Sequence, residues 1–125
     1  MIVCKFGGSS VASGRQIKKV LSIINNSEDR RIAIVSAPGK RFDEDIKVTD
    51  LFIQLYEKVI SNKDYNMILN QILRRFKSIE QDLKIKESLI DTFKYQIMYF
   101  INTYQHLPLR LLDAQKAVEK ILTHN

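Results

Sequence analysis

Val3-Cys-Lys-Phe-Gly-Gly-Ser-Ser10 is the stretch that decides how the rest of this chain reads. A short apolar strand carrying one lysine runs into two glycines and two hydroxyls. Glycines let the backbone turn and leave its N–H groups uncovered, serines add donors, and Lys5 adds a full positive charge. Directly downstream, Ser13-Gly-Arg-Gln16 has capping-box spacing, and Ile17, Val20, Leu21 and Ile24 recur at helical intervals. Strand, glycine turn and amphipathic helix follow the order of a phosphate site at a helix start. The spacing is not the Walker pattern, because the lysine precedes the glycines, and it lacks the third glycine of the dinucleotide fingerprint. Taken alone, the Gly-Gly-Ser-Ser turn fits a plain structural turn equally well.

A second segment, Arg31-Ile-Ala-Ile-Val-Ser-Ala-Pro-Gly39, repeats the theme. Ile32 to Val35 are uninterrupted and apolar, which predicts a strand covered on both faces. The intervening helix is long enough for a right-handed crossover, so the two strands should be parallel neighbours. Both loops then leave the same carboxyl edge of the sheet, where open α/β sheets bind ligands. Two small-residue loops side by side would form a cradle for a triphosphate.

Lys5-Phe-Gly-Gly-Ser-Ser-Val-Ala12 closely resembles the N-terminal signature of aspartokinases, within the amino-acid kinase superfamily. Val35-Ser-Ala-Pro-Gly-Lys40 and Lys47-Val-Thr-Asp-Leu51 resemble the next two blocks of those enzymes, in the same order. The resemblance implies ATP-dependent phosphorylation of the L-aspartate side-chain carboxylate to 4-phospho-L-aspartate, the entry to lysine, threonine and methionine synthesis. It implies that Lys5 is catalytic, offsetting charge on the transferring group. Lys5, Gly7, Gly8 and Ser9 would hold ATP phosphates, and Ser36 and Thr49 would serve the substrate. Mg2+ is expected with the ATP, and a homo-oligomer in the full-length enzyme. The chemistry is apt, because phosphoryl transfer is mostly positioning and charge stabilisation.

Each of these residues has a plainer reading. Lys5 could be a surface lysine on a strand, Ser9 could bond local backbone, and Ser36 could simply end a strand. Val48, Leu51, Phe52, Leu55 and Val59 mark a helix, and Thr49 sits where its N-cap belongs, a role it could combine with binding ligand. Aspartokinases are also much longer than 125 residues, with regulatory domains and a later Gly-Glu substrate block. No glycine follows Gly39 here. The expectation is an N-terminal portion, incomplete for turnover alone. The alternative is a non-catalytic remnant that keeps only a phosphate-binding loop.

Beyond residue 60 the sequence reads as helices. Tyr65, Ile68, Leu69, Ile72, Phe76, Ile79 and Leu83 predict one over 63–83. Leu89, Phe93, Ile97, Phe100, Ile101 and Tyr104 predict another over 86–105, and Leu111 to Leu122 a last one. The aromatics Phe93, Tyr95, Tyr99, Phe100 and Tyr104 read as packing. The fold class expected is α/β: a partial amino-acid-kinase-like fold with short parallel strands at the N-terminus and a helical C-terminal half. The chain would be one partial domain, 1–125, with a phosphate- and substrate-loop part (1–60) and a helical part (61–125).

Composition bounds the remaining possibilities. No apolar run is long enough to span a bilayer, and the first residues do not read as a secretion signal. Lone Cys4 excludes a disulfide framework and reads as a small buried strand residue. His106 and His124 have no ligand cluster around them, so metal binding is not expected. A reducing cytoplasm fits all of this. The net charge of +6 invites a nucleic-acid reading. However, the basic residues, Arg74 and Arg75 among them, are spread over several helices and interleaved with acids, which predicts a solvated basic surface. The Lys40-Arg41 pair could help attract ATP. Finally, two strands make a poor parallel sheet, so an isolated chain should self-associate or remain partly molten.

Overall fold

The computed structural model describes residues 1–105, 118–120 and 123. Pro108, His106, His124 and most of the predicted last helix lie outside these residues; of that helix, 118–120 and 123 are described and are helical. The element order is β1 (Ile2–Phe6), a 3-10 turn (Gly8–Val11), α1 (Gly14–Asn25), β2 (Arg30–Val35), α2 (Val48–Ile60), α3 (Asn66–Asp82) and α4 (Ile90–Tyr104). This is the mixed α/β arrangement expected, with short parallel strands first and helices after.

The strands pair in parallel, with Val3 opposite Ile32, Lys5 opposite Ile34 and Phe6 opposite Val35. α1 makes the crossover. It starts where the capping box placed it: Ser13 is the N-cap, and its Oγ accepts the Gln16 amide at 3.3 Å. At the same end Gly14 lies against Asp82, with a methyl group's worth of space already taken by the Asp82 Cβ. The start of α1 therefore rests on the end of α3.

The sheet corrects one expectation. Ile32, Ile34 and Val35 are 43%, 53% and 60% exposed, so β2 is not covered on both faces. A sheet of two strands with one crossover helix has too little material to enclose itself. Cys4 is half-buried, not fully enclosed, for the same reason.

The core lies among the helices. Val48, Leu51, Phe52, Leu55, Tyr56 and Val59 from α2 meet Leu69 and Ile72 from α3, Ile97 and Ile101 from α4, and Val118. Their three- and four-residue spacing puts them on single faces, and burying each large side chain contributes about 1.5–3 kcal/mol. Phe93 packs edge-on against Phe76, with ring centroids 4.5 Å apart, and against Phe52 at 6.4 Å. Phe93 thus packs as the sequence suggested. Tyr95 and Tyr99, at 73% and 61% exposed, are not part of the core, although the Tyr99 ring meets Phe100 edge-on at 6.0 Å.

Candidate functional site

Three loops converge at the carboxyl edge of the strand pair. The first leaves β1 and forms the Gly8–Val11 turn, the second leaves β2 at Ser36, and the third enters α2 at Lys47. They surround an open cleft of about 470 Å³. Gly8 and Ser9 line it from the first loop, Ser36 to Lys40 from the second, and Lys47 and Thr49 from the third.

The loops are fastened to each other through backbone. The Gly39 amide donates to the Gly8 carbonyl at 2.8 Å, and the Ser36 amide donates to Phe6 at 3.1 Å. A Cβ on Gly39 would fall 2.7 Å from the Gly8 carbonyl carbon and 2.9 Å from the Ser9 nitrogen. A Cβ on Gly8 would meet the Ala37 oxygen at 3.1 Å. None of the glycines has positive φ. Gly8 and Gly39 are therefore required by close approach and not by a left-handed backbone. Gly7 differs, since a Cβ there would meet nothing within 4 Å.

The third loop is tied to the second by the Val48 amide, which donates to the Pro38 carbonyl at 3.0 Å. That bond satisfies one of the first-turn amides of α2 and removes the need for a side-chain cap. Lys47, not Thr49, is the N-cap residue, and its side chain makes no capping bond. Thr49 lies one residue inside the helix and half-buried at the cleft wall, so the capping role read from the sequence does not hold. The positive end of the α2 dipole faces this cleft, as Lys47 and Thr49 both line it.

Of the site residues named from the sequence, Gly8, Ser9, Ser36 and Thr49 come together around this space. Lys5 and Gly7 are not part of its lining. Lys5 is exposed on β1, one residue before the strand ends, and Gly7 opens the 3-10 turn in an extended conformation (φ −73°, ψ 175°). The lysines that do line the cleft are Lys40 and Lys47, at the end of one quoted block and the start of the next. Their position at the block edges was the available signal. Arg41, paired with Lys40 in the sequence reading, turns instead to Asp45. Its Nε and Nη2 donate to the two carboxylate oxygens at 2.7 and 2.9 Å, and its amide donates to the same group at 3.0 Å.

Arg75, read as one of many solvated cations, is buried at 6% exposure. It occupies the core-facing register of α3 between Ile72 and Ile79. Its Nη1 donates to the Ile46 carbonyl at 2.8 Å, and its Nη2 donates to Gly39 at 2.8 Å and to Ala12 at 3.3 Å. Asp45 lies 3.5 Å from Nη1. Burial, then the neighbouring Arg41 charge, pushes the Arg75 guanidinium below its ordinary value, against the pull of Asp45. Arginine remains charged regardless. The side-chain hydrogen bonds from Arg41 hold the Asp45 carboxyl well below the usual carboxylate range, outweighing its burial.

The donor set around the cleft is hydroxyls, backbone groups and two lysines, with no carboxylate among the lining residues. Mg2+ favours carboxylate oxygens alongside phosphate and water. These residues do not fit a protein-held magnesium. Among the described residues no group of three or more His, Cys, Asp or Glu side chains could hold a metal, and no helix is long and apolar enough to cross a membrane.

Residues 1–121 match the profile of the amino acid kinase family. The chain is 36% identical over 117 residues to aspartokinase 3 of Bacillus subtilis (strain 168), covering 94% of this chain and 26% of that enzyme. The crystal structure of aspartate kinase from Clostridium acetobutylicum, described as an allosteric enzyme, superposes with a TM-score of 0.78 at 33% identity. That superposition covers 83% of this chain and 24% of the other. The chain therefore spans about a quarter of the length of these relatives, and it matches the N-terminal portion of the kinase. The converging glycine loops, the parallel strand pair and the sequence match lead to one conclusion: this chain belongs to the amino acid kinase family.

Proposed function

We propose that this chain is the phosphate- and substrate-loop portion of an aspartate kinase, which transfers the γ-phosphoryl group of ATP to the side-chain carboxylate of L-aspartate. The observation that carries the reading is the single cleft built by three loops, with Gly8, Ser9, Ser36, Lys40, Lys47 and Thr49 around it. Small residues let backbone approach phosphate oxygens, and two lysines and the α2 N-terminus supply positive potential. In this reading Gly7, Gly8 and Ser9 hold ATP phosphates, Lys5 offsets charge on the transferring group, and Ser36 and Thr49 contact aspartate. Residues 1–60 form the loop-bearing part, 61–125 the helical part that supports it, and the working enzyme is a cytoplasmic homo-oligomer. The magnesium that accompanies ATP would reside on the phosphates.

The test is an ATP titration of the 125-residue chain by calorimetry, followed by an aspartyl-hydroxamate assay with ATP, magnesium and L-aspartate. ATP binding without hydroxamate is the expected result, because no glycine follows Gly39 and the Gly-Glu substrate block is therefore absent from these residues. Sustained turnover by this chain would overturn its incompleteness. Failure to bind ATP at millimolar concentration would overturn the phosphate-site assignment itself.

A further inference from the structure

We propose that Arg75 of α3 is the positioning residue of the nucleotide site, holding all three cleft loops in register through their carbonyl oxygens. The inference rests on the nucleotide reading of the cleft and adds to it a residue that does not itself line the cleft but bonds the backbone of Gly39, which does.

The geometry is specific to a guanidinium. Arg75 Nη2 donates to Ala12, which follows the first loop, and to Gly39 in the second, while Nη1 donates to Ile46 just before the third. Two nitrogens of one planar fork reach all three acceptors at once. An ammonium has three donors but places them on one nitrogen, so it does not reproduce that two-nitrogen geometry. Gly39 is the central link. Its carbonyl accepts from Arg75, and its amide donates to Gly8, so one peptide neighbourhood passes the clamp on to the first loop. The adjoining Pro38 carbonyl passes it on to Val48 and the start of α2.

Burial gives these bonds their strength. Arg75 is 6% exposed, and hydrogen bonds from a charged donor are worth about twice neutral ones. Asp45, 3.5 Å from the same Nη1 that bonds Ile46, balances the charge and is itself gripped by Arg41. The cation is therefore spent on structure and is not available to the ligand. Its effect on ATP is indirect, through the spacing of Gly8, Ser36 and Thr49.

The experiment compares the 125-residue chain with its Arg75→Met and Ile72→Val variants by amide hydrogen exchange and ATP titration. Methionine keeps the length and removes every bond. Arg75→Met should lower protection at the Gly39 and Val48 amides at least about tenfold more than at Leu55 and Ile97 in the core, and should weaken ATP binding by about tenfold or more. Ile72→Val, one turn away, should change loop and core amides alike and leave ATP affinity within about twofold. Equal loss of protection everywhere in Arg75→Met, or unchanged protection at Gly39, would overturn the proposal. Local loss at the loops with undiminished ATP affinity would overturn it as well. Should Arg75→Met fail to fold, Arg75→Lys keeps the charge but not the fork, and the same local pattern is expected. If the unsubstituted chain binds no ATP, the nucleotide reading fails, while the exchange pattern still decides whether Arg75 clamps the loops.

Discussion

Ile32, Ile34 and Val35 on β2 are the same kind of side chain as Val48, Ile72 and Ile97 in the helices. The first three are 43%, 53% and 60% exposed, and the second three are 0% exposed. The strand pair carries the loops that the chemistry needs, yet contributes little of the core. The helices carry the core and, apart from the start of α2, little of the cleft. The contrast teaches that the order of the cleft is borrowed. Its own strands do not supply it, and α3 reaches across to do so.

Four substitutions would break or sharpen that contrast. Phe52→Ala should have the largest effect, about 3–5 kcal/mol lost in urea or thermal unfolding, because Phe52 is 1% exposed at the centre of the helical cluster. If the borrowed-order view is right, the loops lose protection together with the helices. Persistence of an intact cleft after helical unfolding would break the comparison.

Gly39→Ala should cost about 1–3 kcal/mol, since the new Cβ meets the Gly8 backbone, which cannot swing away as a side chain could. Nucleotide affinity should fall by more than the change in melting suggests. Gly7→Ala is the matched control for stability alone, because a Cβ there meets nothing within 4 Å at the same loop.

Asp45→Asn should cost about 1 kcal/mol at neutral pH, discounted because Arg41 is 40% exposed in the pair. The sign with pH follows from the lowered carboxyl. Its contribution is complete above the unfolded value of about 4 and is lost as pH falls below that, toward the folded value. Unfolding curves of the two proteins should therefore differ at pH 7 and draw together in acid. A constant difference across the range would remove the ion pair from the account.

Ile34→Thr should have the smallest effect on stability, within about 0.5 kcal/mol, because the side chain already faces water. It should instead reduce self-association measured by sedimentation, since apolar strand edges and faces drive it. An unchanged sedimentation profile would show that the exposed strand is not what brings copies together.

The sequence declared the strands, the crossover and the start of α1 because each rests on local chemistry: an apolar run, a glycine pair, a capping serine. It declared the faces of α2 and α3 through spacing alone. Exposure of β2 was not readable from Ile32 to Val35, since an apolar run reports what a strand could bury, not what the chain provides to cover it. Thr49 was misplaced as a cap because the Pro38 carbonyl, ten residues upstream of Val48, does that work. Arg75 was the chief omission. Its neighbours Arg74 and Lys77 are exposed, so composition hid it. A sharper reading was available: Leu69, Ile72, Arg75 and Ile79 follow one buried register, and a cation in that register needs partners.

The docking of Gly14 against Asp82 bears on the timing of assembly. The strand and crossover leave the ribosome first, but the start of α1 has no acidic residue in its own first turn and meets a carboxylate only when α3 arrives. Arg75 arrives with the same helix, bridging 63 positions back to Ala12. Such long-range closures are slow compared with helix formation. The part of the chain synthesised earliest is thus the part finished last, and a nascent chain halted before residue 75 would display its glycine loops without the means to hold them.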